Sequence, residues 1–284
     1  MSTMSQPILA FFNGKTERLD ELKVSVNDRA FVFGDAVYEV LRVYNGRPMI
    51  LDAHMLRLKN SLKAVGIKHE IDLTKTILDN IAQNQVVEGM VYLQVSRGTA
   101  PRIHSFYNLD IAPNILVYTK AFATHPAEKE AAISGIFAIT HEDLRSSHCN
   151  IKSINLLANC MIQSRANEQG AHEAILARGE IVTEGTSCNV FMVKNNQVFT
   201  PPLSGWVLPG TRRKFIIDGF KKDLPVTERV IYKEELFDAD EIFITSTVKE
   251  AISVVKLDQK DVGAGVPGPV AKKARELILA TAKG

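Results

Sequence analysis

"CNIKSINLLANC", residues 149–160, sets Lys152 just ahead of an apolar run that reads as the opening turns of a helix. Chains usually keep lysine away from such surfaces, because a desolvated ammonium is costly. Two readings stand. Lys152 is either a partly exposed side chain snorkelling at a strand end, or an amine kept neutral so that it can attack a carbonyl and form a Schiff base. Desolvation and neighbouring cations both favour the neutral amine. One lysine does not decide between them, so the choice falls to its companions.

The first companion lies some thirty residues on, in "GEIVTEGTSCNVF", residues 179–191. In a strand, Ile181 and Thr183 face one way and Val182 and Glu184 the other. Glu184 therefore ends an apolar strand and is followed by a glycine and small hydroxyl residues. It is either a charged strand end turned to water or an anion facing a heteroaromatic nitrogen. Pyridoxal phosphate needs such an anion, because its protonated ring is the electron sink for a carbanion.

The totals narrow the setting. A chain of 284 residues, 45% hydrophobic and 23% charged, suits a soluble globular protein of two ordinary domains. A net charge of +2 with no basic block gives nucleic acid or a membrane surface little to hold. Cys149, Cys160 and Cys188 form no CxxC pair, which argues for a reducing compartment and against a metal site. The opening "MSTMSQPILAFFNGK" has no basic leader, and no run is long enough to cross a bilayer. The expected location is cytoplasmic.

Along the chain, "PILAFFNGKTERL" predicts a strand, a turn at Asn13-Gly14 and more extended chain, and Asn45-Gly46 marks a second turn after "AVYEVLRVY". "LDAHMLRLKNSLKAVG" predicts a helix with Asp52 as N-cap and Gly66 as stop, followed by a second helix over roughly residues 73–87. The strands "MVYLQVSR" and "NILVYT" complete an α+β unit over 1–120. Residues 121–132, polar and broken by Pro126, are expected to be a linker. Residues 133–284 form the larger unit, with strands at "GIFAIT", "EAILAR", "GEIVTEG", "NVFMV", "QVFT" and "EIFITST". Its expected helices are "INLLANCMIQSRANEQG", stopped by Gly170, and one beginning near Pro269.

"CNIKSINLL" followed by "IVTEGTSCNVF" resembles the class IV aminotransferases, the fold-type IV pyridoxal-phosphate enzymes. "NDRAFVFGDAVYEVLRVYNGRPMILDAHMLRLKNSL" is similar to their first-domain segment, and "LPG" and "FITST" to later signatures, so the resemblance spans nearly the whole chain. It implies an α/β (α+β) fold with a small N-terminal and a larger C-terminal domain, the cofactor between them, and a homodimer whose neighbouring subunit helps close the pocket. It makes Lys152 the Schiff-base lysine and proton shuttle, Glu184 the partner of the pyridine nitrogen, and Arg57 the phosphate-binding arginine. Tyr38 matches the tyrosine beside the lysine, Ser246 and Thr247 the hydroxyls near the phosphate, and Ser187 the small residue near the ring. In "VLPGTRRKF" either Thr211 or Arg212 holds the place of a phosphate-contacting threonine.

"VSRGTAPRIHSF", residues 95–106, bears on the substrate. Arg102 and His104 stand two apart, which in extended chain points both one way. Two converging donors make a carboxylate trap, and a polar loop is the alternative. "RGTAPRIH" resembles the segment with which D-amino-acid aminotransferases bind the substrate α-carboxylate. The implied substrates are amino acids and 2-keto acids, with D-alanine and 2-oxoglutarate giving pyruvate and D-glutamate by a ping-pong cycle. A branched-chain L-amino-acid or mixed-specificity aminotransferase is the nearest rival, and aminodeoxychorismate lyase a more distant one.

Overall fold

The computed structural model describes residues 7–68, 72–122, 130–131 and 133–283. The chain divides into two compact units, one of residues 1–123 with 151–155, the other of 124–150 with 156–284.

In the first unit, β1 (Leu9–Phe12) and β2 (Lys15–Arg18) form a hairpin around Asn13 and Gly14, both at positive φ. Helix α1 (Arg29–Phe33) leads into β3 (Ala36–Tyr44), which turns at Asn45-Gly46 into the short β4 (Arg47–Pro48). Helices α2 (Leu51–Val65) and α3 (Thr74–Gln83) precede β5 (Gly89–Ser96) and β6 (Asn114–Ala121). The sheet order is β2-β1-β6-β5-β3-β4, antiparallel throughout. Alternation gives the sheet two different faces. Val37 and Leu41 of β3 and Val91, Leu93 and Val95 of β5 pack against Leu58 and Leu62 of α2 and Ile77 and Ile81 of α3. Tyr38, Tyr92 and Gln94 alternate with these residues and are only half-buried.

In the second unit, β7 (Ile136–Glu142) is followed by α4 (Leu157–Glu168), β8 (Glu173–Arg178), β9 (Ile181–Gly185), β10 (Asn189–Lys194) and β11 (Gln197–Thr200). Then come α5 (Thr211–Phe220), β12 (Val226–Glu228), β13 (Glu241–Ser246), β14 (Glu250–Leu257), β15 (Lys260–Asp261) and α6 (Pro269–Lys283). The order is β12-β11-β10-β13-β14-β7-β8-β9, with β15 on β14. The β11/β12, β14/β7 and β7/β8 pairs are parallel. Ala174, Ile175 and Leu176 of β8 are all buried, which explains a continuous apolar run where a half-exposed strand would alternate.

Several expectations need correction. Asp52 is not the N-cap of α2; Ile50 holds that position in a left-handed conformation without a side-chain bond. Asp52 lies in the first turn, where its charge still suits the helix dipole. Helix α3 ends at Gln83, short of 87, because Gln85 takes φ 50° and Val86 turns into the core. The helix expected directly after Lys152 begins only at Leu157, and of its residues only Ile162 and Ala166 are buried. Residues 151–155 are extended instead, along β3. The Tyr38 N–H donates to the Lys152 carbonyl at 2.9 Å, and the Ile154 N–H to that of Ala36 at 3.2 Å. β4 pairs only with Val43 and Tyr44, so the early part of β3 has backbone groups for this segment to satisfy. Lys152 therefore belongs to the first unit, although its sequence position falls within 133–284. The expected linker, 121–132, lies largely outside the described residues. Among the described residues no helix is long and apolar enough to cross a membrane.

Candidate active site

Lys152 is half-buried and held by its backbone at both ends. Its N–H donates to Ser61 Oγ of α2 at 3.3 Å, while its carbonyl accepts from Tyr38. Nζ lies 4.2 Å from the centroid of the Tyr38 ring, so the amine meets the ring face. Tyr38 stacks on Tyr92 at 5.8 Å, and Tyr92 meets Tyr118 at 5.2 Å. The Tyr92 hydroxyl donates to Gln94 Oε1 at 2.7 Å. One amine thus stands beside an aromatic row carrying polar tips.

Arg57 comes from α2, one turn before Ser61, and is fixed by Glu39 of β3. Its Nε and Nη2 donate to Glu39 Oε1 and Oε2 at 2.7 and 2.8 Å, and His54 Nδ1 lies 2.8 Å from Oε2. Glu39 points from β3 toward α2 and is completely buried. Burial alone would raise its carboxyl, but the Arg57 charge and the bonds from Arg57 and His54 hold it down at about 2. A bidentate carboxylate fixes the plane of the guanidinium, which suits Arg57 to a phosphate.

Arg102 and His104 lie in an exposed loop, the alternative to the extended chain, and both stand beside Phe33. The Arg102 guanidinium is 5.4 Å from the Phe33 ring centroid, and the His104 ring also lies 5.4 Å from it. Arg29 pins the loop, donating to the Ile103 carbonyl at 2.6 Å and the His104 carbonyl at 3.2 Å. Asp35 in turn holds Arg29 and Arg97.

In the second unit, Glu184 is the next-to-last residue of β9 and is buried. Oε1 accepts from Arg145 Nη1, and Oε2 from Asn189 Nδ2 and the Leu208 N–H, both at 3.0 Å. Arg145 is shared: Asp143 takes its Nε and Nη2, both at 2.9 Å. Burial therefore pushes the Glu184 carboxyl up to about 7, against the opposing pull of Arg145 and the Leu208 amide. Glu184 is a buried acceptor with less than one cation to itself.

The remaining candidates gather at one end of this sheet. Asn189 pairs with Thr245, which sets the β9–β10 turn, with exposed Ser187, beside the β13–β14 turn, with Ser246 and Thr247. Thr211 and Arg212 open α5, both buried. A Cβ on the preceding Gly210 would overlap Asn189 Oδ1, so the glycine lets this helix start against β10. Sequence reasoning missed Glu39, Asp143, Arg145 and Asn189. Glu39 adjoins Tyr38, and Arg145 lies seven residues before Lys152, but nothing in a single sequence marks a carboxylate as buried. Among the described residues no cluster of His, Cys, Asp and Glu could hold a metal ion.

Comparison with known proteins places the chain. Residues 36–257 match the family model described as amino-transferase class IV. A D-alanine aminotransferase of Bacillus licheniformis is 42% identical over 271 residues, 94% of each chain. One from Staphylococcus aureus is 36% identical over 274 residues, 94% of this chain and 95% of its own. Among solved structures, an Escherichia coli branched-chain amino acid aminotransferase superposes with a TM-score of 0.88 at 26% identity, covering 97% of this chain and 94% of that one. A buried carboxylate, an anchored lysine and an oriented arginine thus stand on a scaffold shared across its length with known enzymes, and the chain belongs to the class IV aminotransferases.

Proposed function

We propose that this class IV aminotransferase transfers amino groups between D-amino acids and 2-keto acids, with D-alanine + 2-oxoglutarate ⇌ pyruvate + D-glutamate as its reaction. The 42% identity to a D-alanine aminotransferase, over 94% of both chains, carries the reading. Arg102 and His104, both beside Phe33 in one exposed loop, support it, because an arginine and a histidine suit a substrate carboxylate.

Pyridoxal 5′-phosphate is the cofactor, and the residues present fit it. A carboxylate offers about four lone-pair sites, and Glu184 uses three, on Arg145, Asn189 and Leu208. Its raised carboxyl leaves room for a further cation, which a protonated ring nitrogen provides. When bound, the cofactor supplies an aldehyde that condenses with amines and a ring that accepts electron density from the substrate α-carbon.

The chain's own residues do the rest. With the cofactor bound, Lys152 Nζ would carry the substrate's α-proton, and one site would serve both halves of the ping-pong cycle. Tyr38 orients that amine. Glu184 keeps the ring nitrogen protonated. Arg57 would hold the phosphate, helped by Ser246, Thr247 and either Thr211 or Arg212, and Ser187 would lie near the ring. Arg102 and His104 hold the α-carboxylate and so select which face of the α-carbon meets Lys152. The enzyme works as a homodimer, and its free Cys149, Cys160 and Cys188 suit a reducing cytoplasm. Its domains are 1–120 and 133–284, with the Lys152 segment lent to the first.

The decisive assay offers D-alanine and L-leucine, each with 2-oxoglutarate, and resolves the products on a chiral column. D-glutamate from D-alanine is expected. Rapid L-leucine turnover without D-alanine activity would replace this assignment with a branched-chain one, and pyruvate release from aminodeoxychorismate without a keto acid would point to a lyase.

A further inference from the structure

Glu173, the first residue of β8, is completely buried and has no part in the roles assigned above. Its Oε1 accepts the Thr186 N–H at 2.9 Å, the Ala174 N–H at 3.0 Å and the Thr186 hydroxyl. Its Oε2 accepts from Lys249 Nζ at 2.8 Å and from the Cys188 thiol at 3.4 Å. The carboxylate thus grips the β9–β10 turn through Thr186 and Cys188 and the β13–β14 turn through Lys249. The Lys249 N–H also donates to Ser246 Oγ at 3.1 Å, so one residue fixes both the ion pair and that hydroxyl. Burial disfavours both charges, yet each charge holds the other: the Glu173 carboxyl is lowered and the Lys249 ammonium raised.

We propose that the Lys249–Glu173 ion pair is a positioning clamp that sets the spacing of Ser187, on the ring side, and the Ser246–Thr247 hydroxyls, on the phosphate side, and with it the affinity for the cofactor. The inference rests on the pyridoxal-phosphate reading of this chain. Two turns held in register before binding lose less freedom on gripping a ligand. A salt bridge to a fully buried carboxylate is costly to build for stability alone, whereas a clamp between two binding turns gives it a use.

Three variants test the clamp. Lys249→Met removes the charge but keeps the length, Lys249→Arg keeps the charge, and the double variant Lys249→Met/Glu173→Gln leaves no unpaired buried carboxylate. Each apoprotein is melted, then titrated with pyridoxal phosphate by absorbance, and the bound phosphorus resonance is recorded. The Met variant should bind the cofactor about tenfold more weakly or worse, as when a supporting residue behind a ligand is lost, with a displaced phosphorus signal. The Arg variant should recover most of the affinity. The double variant should melt near the wild type yet still bind weakly. Wild-type affinity and spectrum in the Met variant would overturn the clamp, as would an affinity that follows the melting temperature across all three. A wild-type apoprotein that takes up no pyridoxal phosphate would instead overturn the functional reading and the clamp with it, so the two failures are told apart.

Discussion

Glu39 and Glu184 are both buried carboxylates, and their surroundings push their protons in opposite directions. Glu184 shares Arg145 with Asp143, and burial prevails, raising it to about 7. Glu39 has both edges of its carboxylate taken by Arg57 and His54, and the cation prevails, holding it at about 2 against an ordinary 4.5. Because its folded value is depressed, Glu39 contributes stability that is present above pH 4.5 and lost as pH falls toward 2. The shift corresponds to roughly 3 kcal/mol. Glu39→Gln should therefore cost about 3–5 kcal/mol at neutral pH, since it leaves Arg57 buried without its carboxylate. The gap to the wild type should close as pH drops through that window. Urea unfolding at neutral pH and at two values below 4.5 reads this directly, and a gap that stays constant would remove Glu39 as its cause. Residue type and placement left Lys152 and Glu184 each with two readings, and the resemblance of the surrounding motifs chose between them and supplied Arg57. The charges that tune them were not legible, since a sequence does not state which carboxylate faces which guanidinium.

Two helix-ending glycines separate what the elements do for stability from what they do for the site. Gly66 ends α2 and Gly34 ends α1, both at φ 68°, where a β-carbon is strained. A Cβ on Gly66 meets open space, while one on Gly34 would overlap the Asn155 side chain, whose Nδ2 donates to the Gly34 carbonyl at 3.1 Å. Each alanine should cost about 1 kcal/mol from the backbone alone. Only Gly34→Ala should also push the 151–155 segment off β3 and slow borohydride fixation of the cofactor at Lys152 severalfold. Equal labelling rates in the two variants would show that Asn155 does not anchor the segment. Elements with local signals were legible: Asn13-Gly14, Asn45-Gly46, the Gly66 stop and the Pro269 start all hold. Helix α5, "TRRKFIIDGF", went unread because it buries Arg212 and Arg213, so its inward face shows no apolar stripe. The 151–155 segment escaped for another reason. Its conformation comes from an edge of β3 more than a hundred residues away, which no periodicity in residues 149–160 reports.

At the scale of the whole molecule, the first unit exposes several large apolar side chains on α1, in the segment before it and in the loop that carries Arg102 and His104. Phe31 of α1 is 76% exposed and Tyr107 82%. Val24, Val26 and Ile103 are also exposed, and Arg29 ties α1 to the loop through the Ile103 and His104 carbonyls. Exposed apolar side chains beside charged ones suit a protein–protein contact, and a second copy of this chain is the partner proposed above. The dimer should sediment at twice 31.4 kDa, and Phe31→Asp with Tyr107→Asp should return it to a single subunit. If the loop of one subunit closes the pocket of its partner, two inactive proteins should complement each other. Lys152→Ala lacks the amine but keeps Arg102, and Arg102→Ala the reverse. In a mixed dimer one pocket combines the intact lysine of one subunit with the intact arginine of the other, while the second pocket lacks both. Random reassortment of two homodimers makes half of the dimers mixed, so unfolding and refolding an equal mixture should restore about a quarter of wild-type turnover. A mixture that stays inactive while mixed dimers are demonstrably present would mean that Lys152 and Arg102 serve the same pocket from within one chain.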